Sequence, residues 1–249
     1  MVETPIRRPS RIVMEKIAIV IPIYQPTLNS KEIISLTQCL RILGEYPIRF
    51  IGPNSLDTNF LNPWIAQVEI IRFNDEFFKS PKTYNKLLTS PFFYQAFLNF
   101  EYILIHQLDA YVFEDNLLEW CNKGYDYIGA PKLRKHHLSN SYSCHPVLMN
   151  GGLSLRKIKP IIRYLKIYRL FFSEWKANED AMFSFAQRRA YPFRLLLKLP
   201  SWREALTFAF EQNPETGFRI LGKLPFGCHA WERYNPKFWN SYITKNKSN

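Results

Sequence analysis

Five short apolar runs, each closed by a turn signal and separated by helix patterns, constrain this chain more than any other feature. The first is "KIAIVIPIY", Lys16 to Tyr24. It is β-branched almost throughout and does not alternate with polar residues, so it predicts a strand buried on both faces. "PIRFIGP" and "VEIIRF" predict strands near 47–52 and 68–73. "EYILIHQ", Glu101 to Gln107, and "YDYIGAP", Tyr125 to Pro131, supply two more. Between them, Asn29 or Ser30 can cap a helix that Gly44 ends, and Ser80 can cap another with Pro81 at its first helical position and a break at Pro91. "EDNLLEWCNKG" reads as a third, shorter helix. Fully buried strands alternating with helices predict an α/β protein, three layers around a mainly parallel sheet.

The totals fit that reading. At 249 residues with 47% hydrophobic and 16% aromatic side chains, the chain can bury a large core and lies far from disordered compositions. We expect one domain over 16–240, a flexible basic arm at 1–15 and a basic tail at 241–249. No apolar run reaches the roughly 20 residues of a membrane span, and the first residues lack the apolar centre of a secretory signal, so a cytoplasmic protein is expected. Cys39, Cys121, Cys144 and Cys228 are scattered and read as reduced thiols. A net charge of +12 implies an anionic partner such as nucleotide phosphates, nucleic acid or an anionic membrane surface.

In sheets of this kind ligands gather at the carboxyl ends of the strands, which puts Tyr24, Asn54, Gln107, Asp109 and Pro131 on one rim. In "LIHQLDAYVFED" a buried run meets polar groups there. Asp109 is either an oxygen ligand for a hard cation or a turn residue capping the next helix. In "NGGLSLR", Asn150 to Arg156, the paired glycines imply a close backbone approach or positive φ, and Asn150 could offer its amide to a sugar hydroxyl. "NED" places Asn178 as a helix cap with Glu179 and Asp180 in the first turn, where a carboxylate held ionised could act as a base. In "FGCHAW", His229 is a core histidine or a metal or phosphate ligand. His136, His137, Cys144 and His145 sit together in a long polar loop from Lys132 to Met149, but their spacing matches no standard zinc pattern. That loop is long enough to act as a lid or an acceptor loop.

Taken in order, "IAIVIPIY", "YILIHQLDAYVF", "YDYIGAP", "NGGLSLR", "NEDAMF" and "PFGCHAW" resemble the GT-A glycosyltransferases, and most closely a bacterial glycosyltransferase-like family with Q-x-D, YDYIGAP and NGG-x-SLR signatures. The resemblance spans Lys16 to Tyr234. It implies a Rossmann-like GT-A catalytic domain and a nucleotide-sugar donor bound by Pro22, Tyr24, Asn54, Lys82, Asn85, Gln107, Asp109, Asn150, Gly151 and Gly152. It also implies Mn²⁺ or Mg²⁺ held by Asp109 and His229, with "QLD" standing at the D-x-D position of those enzymes. Gln107 departs from that pattern and removes one charge, so weak or dispensable metal binding is expected; Lys82, Lys132 and Arg134 are then candidates to stabilise the leaving diphosphate. "NED" corresponds to the x-E-D motif, with Asp180 as general base in an inverting transfer and Glu179 bonding donor or acceptor.

The implied acceptor is a glycan or lipid-linked sugar in polysaccharide, lipopolysaccharide or glycoprotein synthesis. The basic helix near 157–170, with Ile158, Ile161, Ile162, Leu165 and Leu170, either packs its apolar stripe on the core or lies on the inner face of a membrane. Two rival functions are a nucleotide-sugar hydrolase on the same scaffold and a non-enzymatic nucleic-acid-binding module; no signature for nucleic-acid binding appears, and none is expected as a partner.

Overall fold

A computed structural model describes residues 16–64, 69–135, 142–143, 148–186 and 193–243. Its eleven strands are β1 Ile17–Pro22, β2 Ile48–Pro53, β3 Ile70–Phe73, β4 Tyr102–His106, β5 Tyr111–Val112, β6 Tyr127–Pro131, β7 Arg134–Lys135, β8 Tyr142–Ser143, β9 Met149–Lys157, β10 Ala209–Phe210 and β11 Gly227–Cys228. Six of them form the central sheet in the order β3-β2-β1-β4-β9-β6. β3, β2, β1 and β4 pair parallel to one another. β9 runs antiparallel to both β4 and β6, so it is the one reversed strand in a mainly parallel sheet. Every residue of β1, β4 and β6 is buried, which explains why those runs carry no alternation.

Helices cover the sheet: α1 Ser30–Leu43, α2 Pro81–Leu88, α3 Pro91–Gln95, α4 Leu117–Asn122, α5 Ile158–Phe171, α6 Trp202–Phe208, α7 Pro214–Leu221 and α8 Pro236–Ile243. The expected caps are in place. Asn29 Oδ1 accepts from the Glu32 amide at 3.0 Å while Glu32 Oε2 accepts from the Asn29 amide at 2.8 Å, a reciprocal capping box. Ser80 Oγ accepts from the Thr83 amide at 3.2 Å with Pro81 behind it. α5 turns Ile158, Ile161, Tyr164 and Leu165 into the core, so core packing takes most of its apolar stripe; Leu170 and Phe171 at its end stay exposed. α8 continues through Ser241 to a buried Ile243.

A second, three-stranded sheet of order β10-β11-β5 does the positioning that function needs. Its registers pair Cys228 with Tyr111 and Phe210 with Cys228. Three segments remote in sequence, the turn before β5, the residue after β11 and the residue after β10, are thereby held at one edge. Helical backbone begins at Glu179, directly after the expected cap Asn178, and continues as a π-helical segment, Ala181–Ala186, an irregularity often found beside functional sites. Cys39, Cys121 and Cys228 are free thiols. The arm at 1–15, Cys144 and the His136, His137, His145 set lie outside the described residues. Among the described residues no helix is long and apolar enough to cross a membrane.

Candidate active site

The small sheet fixes the core of the site. His229 follows β11 and its backbone N–H donates to Phe210 O at 2.9 Å, which locks its position beside Glu211. Ala230 immediately after it is left-handed at φ 51, strained backbone for a side chain with a Cβ, and this turn aims the imidazole inward. The His229 Nε2 atom lies 3.1 Å from Asp109 Oδ1 and 3.1 Å from Gln107 Oε1. Its Nδ1 lies 3.6 Å from Glu211 Oε1. Burial opposes a charge on the ring, but the hydrogen bond to Asp109 and the negative charges of Asp109 and Glu211 prevail and push it up to about 9. Burial likewise works to raise Asp109, yet His229 outweighs it and holds the carboxyl below its ordinary value. Asp109 is therefore not a helix cap: Asp115 and Asn116 stand at the start of α4, and Asp109 belongs to a cluster.

The two glycines answer to close approach and not to positive φ. A Cβ on Gly152 would sit 2.1 Å from His229 Nε2, and one on Gly151 would sit 2.0 Å from Glu179 Oε1. β9 thus offers two bare positions, one pressed by the histidine and the other by "NED". Asn150 shapes the turn between them, accepting from the Gly152 amide at 2.6 Å; its own amide donates to Glu211 Oε1 at 3.2 Å and so buttresses the cluster.

Behind the glycines lies a buried ion pair. Arg156, fully buried, donates through Nη2 to Glu179 Oε1 at 2.6 Å and to Gly151 O at 3.2 Å, through Nη1 to Tyr94 Oη at 3.0 Å, and through Nε to Ser154 Oγ at 2.9 Å. The second Glu179 oxygen accepts from the Asp180 amide at 2.8 Å, and Asp180 Oδ1 accepts from the Ala181 amide at 2.6 Å. Asn85 accepts from the Glu179 amide and donates to Asn178 Oδ1, both at 3.3 Å. Asp180 is not held ionised by a helix dipole, as the sequence suggested. Burial, with the charges of Glu179 and Glu211, pushes its carboxyl up to about 7. Glu211 acts on both ends of the site through its charge, standing 3.6 Å from His229 Nδ1 and raising Asp180.

A cavity of about 710 Å³ opens in front of this arrangement. Pro22 and Tyr24 at the end of β1, Gln107 and Asp109 after β4, His229 and Arg233 after β11, and Lys79 to Pro81 at the start of α2 line it. Of the expected site residues, Pro22, Tyr24, Gln107, Asp109 and His229 meet on these walls. Asn150, Gly151, Gly152, Glu179 and Asp180 gather around His229, Arg156 and Glu211 and are not among the cavity's lining residues. Asn85 supports "NED" instead of facing the cavity. Asn54, Lys82 and Lys132 are not among its lining residues, and the Arg134 side chain lies outside the described ones. Glu211, Arg156 and Arg233 were missed. For Arg156 a signal existed, because an arginine ending a strand packed on both faces must find an internal partner. His106, next to Gln107, is fully buried and makes no ring hydrogen bond among the described residues; burial pushes it down to about 4, so it is a neutral core side chain.

Among the described residues no group of three or more His, Cys, Asp or Glu could hold a metal ion. The donors that do converge, a carboxylate oxygen of Asp109, an imidazole nitrogen of His229 once it has given up its proton and an amide oxygen of Gln107, suit a divalent cation such as Mn²⁺ whose remaining positions are filled by ligand oxygens. They fit it as a partial shell, not a closed cage.

The chain has the fold of the GT-A glycosyltransferases, as its likeness to two solved structures shows. Mouse xyloside xylosyltransferase 1 in its apo form aligns with a TM-score of 0.56 at 10% identity, over 85% of this chain and 96% of that one. The galactosyltransferase LgtC, in complex with donor and acceptor sugar analogues, aligns with a TM-score of 0.55 at 12% identity, over 92% and 94%. At such identities the likeness is one of fold. By sequence the chain belongs to the family described as protein of unknown function (DUF5672), whose model matches residues 67–229 and so spans the site from Asp109 to His229. No curated protein matches it.

Two outcomes test this geometry. Arg156→Met leaves Glu179 buried without its partner, and urea denaturation should show a loss of about 3–5 kcal/mol; a loss under about 1 kcal/mol would mean the pair carries no structure. Because the fold favours the protonated form of Asp180, its ionisation weakens the folded state as pH rises from the ordinary 3.8 to about 7. Asp180→Asn should therefore raise the melting temperature by several degrees at pH 8 and change it little at pH 4. The opposite pH trend would contradict the burial of this carboxyl.

Proposed function

We propose that this protein transfers a sugar from a nucleoside-diphosphate donor to an acceptor hydroxyl, with inversion at the anomeric carbon. The observation that carries the reading is the convergence of Gln107, Asp109 and His229 on one wall of a cavity at the carboxyl ends of β1 and β4, in a chain with the GT-A fold. Tyr24, 58% exposed at the mouth, offers a ring face to a nucleobase. Lys79 and Arg233 bring positive charge to the same walls, where a diphosphate would lie. The named relatives support a donor and a glycan acceptor as partners, since one of them was captured with analogues of both.

In the step itself the acceptor oxygen attacks the anomeric carbon, the bond to the diphosphate oxygen breaks, and the acceptor proton passes to Asp180. A carboxyl near 7 suits that task, because it is partly ionised at neutral pH yet basic enough to take the proton. Glu179, held by Arg156, fixes the backbone that presents Asp180 and is not free to serve as the base. Arg233 and Lys79 stabilise the departing diphosphate. Asp109, His229 and Gln107 would hold Mn²⁺ or Mg²⁺, which when bound neutralises charge on the phosphate oxygens. With a neutral amide at Gln107, that cation is held weakly.

Asp180→Asn should reduce transfer by a factor of about 100 or more while calorimetry shows nucleoside-diphosphate binding within a few-fold of wild type. Normal turnover in this variant would remove the base assignment, and NMR of the product anomer reports whether configuration inverts. Release of free sugar regardless of added acceptors would favour the hydrolase instead. Gln107→Asp restores a second carboxylate and should tighten Mn²⁺ by about tenfold, measured by thermal shift with and without the ion; unchanged or weaker Mn²⁺ affinity would mean that position 107 does not face the cation.

A further inference from the structure

The outer end of α5 and the turn beside it carry four large apolar side chains in the open. Leu170 is 80% exposed, Phe171 69%, Phe172 47% and Leu195 69%. They form one patch and are not scattered. Phe193 lies between them, its ring centroid 6.0 Å from that of Phe171 and 5.5 Å from that of Phe172, and it shares a short 3-10 turn with Leu195. Arg163 Nη2 donates to Leu196 O at 3.3 Å and ties that turn to the helix. The chain has folded the rest of the α5 stripe into its core, so these residues are apolar surface left over after packing.

The face of α5 that leads to this patch is cationic. Lys159, Arg163, Lys166 and Arg169 all lie exposed along it, and no acidic residue occurs between Ile158 and Phe171. The acidic neighbour beyond the helix, Glu174, is taken by Lys86 at 3.0 Å. A surface that joins an apolar tip to a row of positive charge has two obvious occupants. A second copy pairing through the same face would set four cations against four cations, which opposes association. An anionic bilayer surface matches both halves, since its acyl boundary accepts the apolar side chains and its headgroups accept the cations.

We propose that this protein docks on anionic membrane surfaces through the end of α5, with Leu170, Phe171, Phe172 and Leu195 entering the interface and Lys159, Arg163, Lys166 and Arg169 contacting lipid headgroups. The surface is separate from the cavity. α2 links them, with Ser80 and Pro81 on the cavity wall and Thr89, just past its other end, accepting from Arg169 Nη2 at 3.4 Å. A docked molecule thus holds its cavity near the lipid surface. The proposal stands whether or not the transferase reading does.

Sedimentation of the full chain with phosphatidylcholine vesicles, with and without phosphatidylglycerol, tests it. The protein should pellet with the anionic vesicles, stay in solution with the neutral ones, and be released by added salt. Lys159→Glu combined with Lys166→Glu should weaken partitioning by about tenfold or more, and Leu170→Ser combined with Phe171→Ser should abolish most of it, both variants keeping the wild-type circular dichroism and melting temperature. Equal pelleting with both vesicle types, or wild-type partitioning in both variants, would overturn it. So would a lipid-free, concentration-dependent doubling of mass that the Leu170/Phe171 variant removes, because the patch would then be a contact between copies.

Discussion

β9 must be touched from two directions at positions where no side chain can stand, and the site depends on that constraint. It is the reversed strand between β4 and β6, paired with β4 from Leu153 onward and with β6 from Ser154 onward, and in the bulge before those ladders Gly152 O accepts from the Gln107 amide at 2.9 Å. Gly151 receives Glu179 and Gly152 receives the His229 ring. A Cβ at either position would have to displace one of those side chains, and so the two glycines decide whether "NED" and the histidine can share a site. The same strand then supplies Arg156, whose guanidinium reaches back to Gly151 O and on to Glu179. One segment therefore makes room for an acidic group and also provides the cation that makes its burial tolerable.

Charge is distributed unevenly over this scaffold. Four carboxyl groups, Asp109, Glu179, Asp180 and Glu211, gather near two buried cationic groups, Arg156 and His229. Arg156 is committed to Glu179, and His229 lies between Asp109 and Glu211. Asp180 is the carboxyl without a cation of its own, and it responds by holding its proton to about 7. Its basicity is thus a consequence of where the other charges have been placed. Because Asp180 is backed by Glu179 and Glu211, removing either neighbour would lower it as surely as exposing it to water.

Much of the fold was legible from residue patterns. Continuous apolar runs became β1, β4 and β6 because a sheet covered on both faces needs no polar alternation, and Asn29, Ser80 and Pro81 cap helices where their chemistry allows. The reversal of β9 was not legible, since a strand buried on both faces has the same composition in either direction. At the site, "QLD" and "FGCHAW" were recognisable one by one, but nothing in a sequence says that β5 and β11 pair and bring Asp109 and His229 within 3.1 Å. Glu211 escaped for the same reason: it follows two residues of β10, and only the register with β11 gives it a partner. The role expected for the helix dipole at Asp180 failed because burial and the charges of Glu179 and Glu211 outweigh the Ala181 amide, which favours the ionised carboxylate.

Gln107 looks like a defect beside the usual pair of aspartates, yet the geometry gives it a reason. Its Oε1 lies as close to His229 Nε2 as Asp109 does, and Glu211 already stands on the other side of the ring. A carboxylate at 107 would give one imidazole three acidic neighbours in a site that is largely buried, and two of them would be close enough to repel. A neutral amide accepts the same hydrogen bond without that repulsion. The arrangement is stable on its own protons, whereas two aspartates beside this histidine would depend on a bound cation to hold them together.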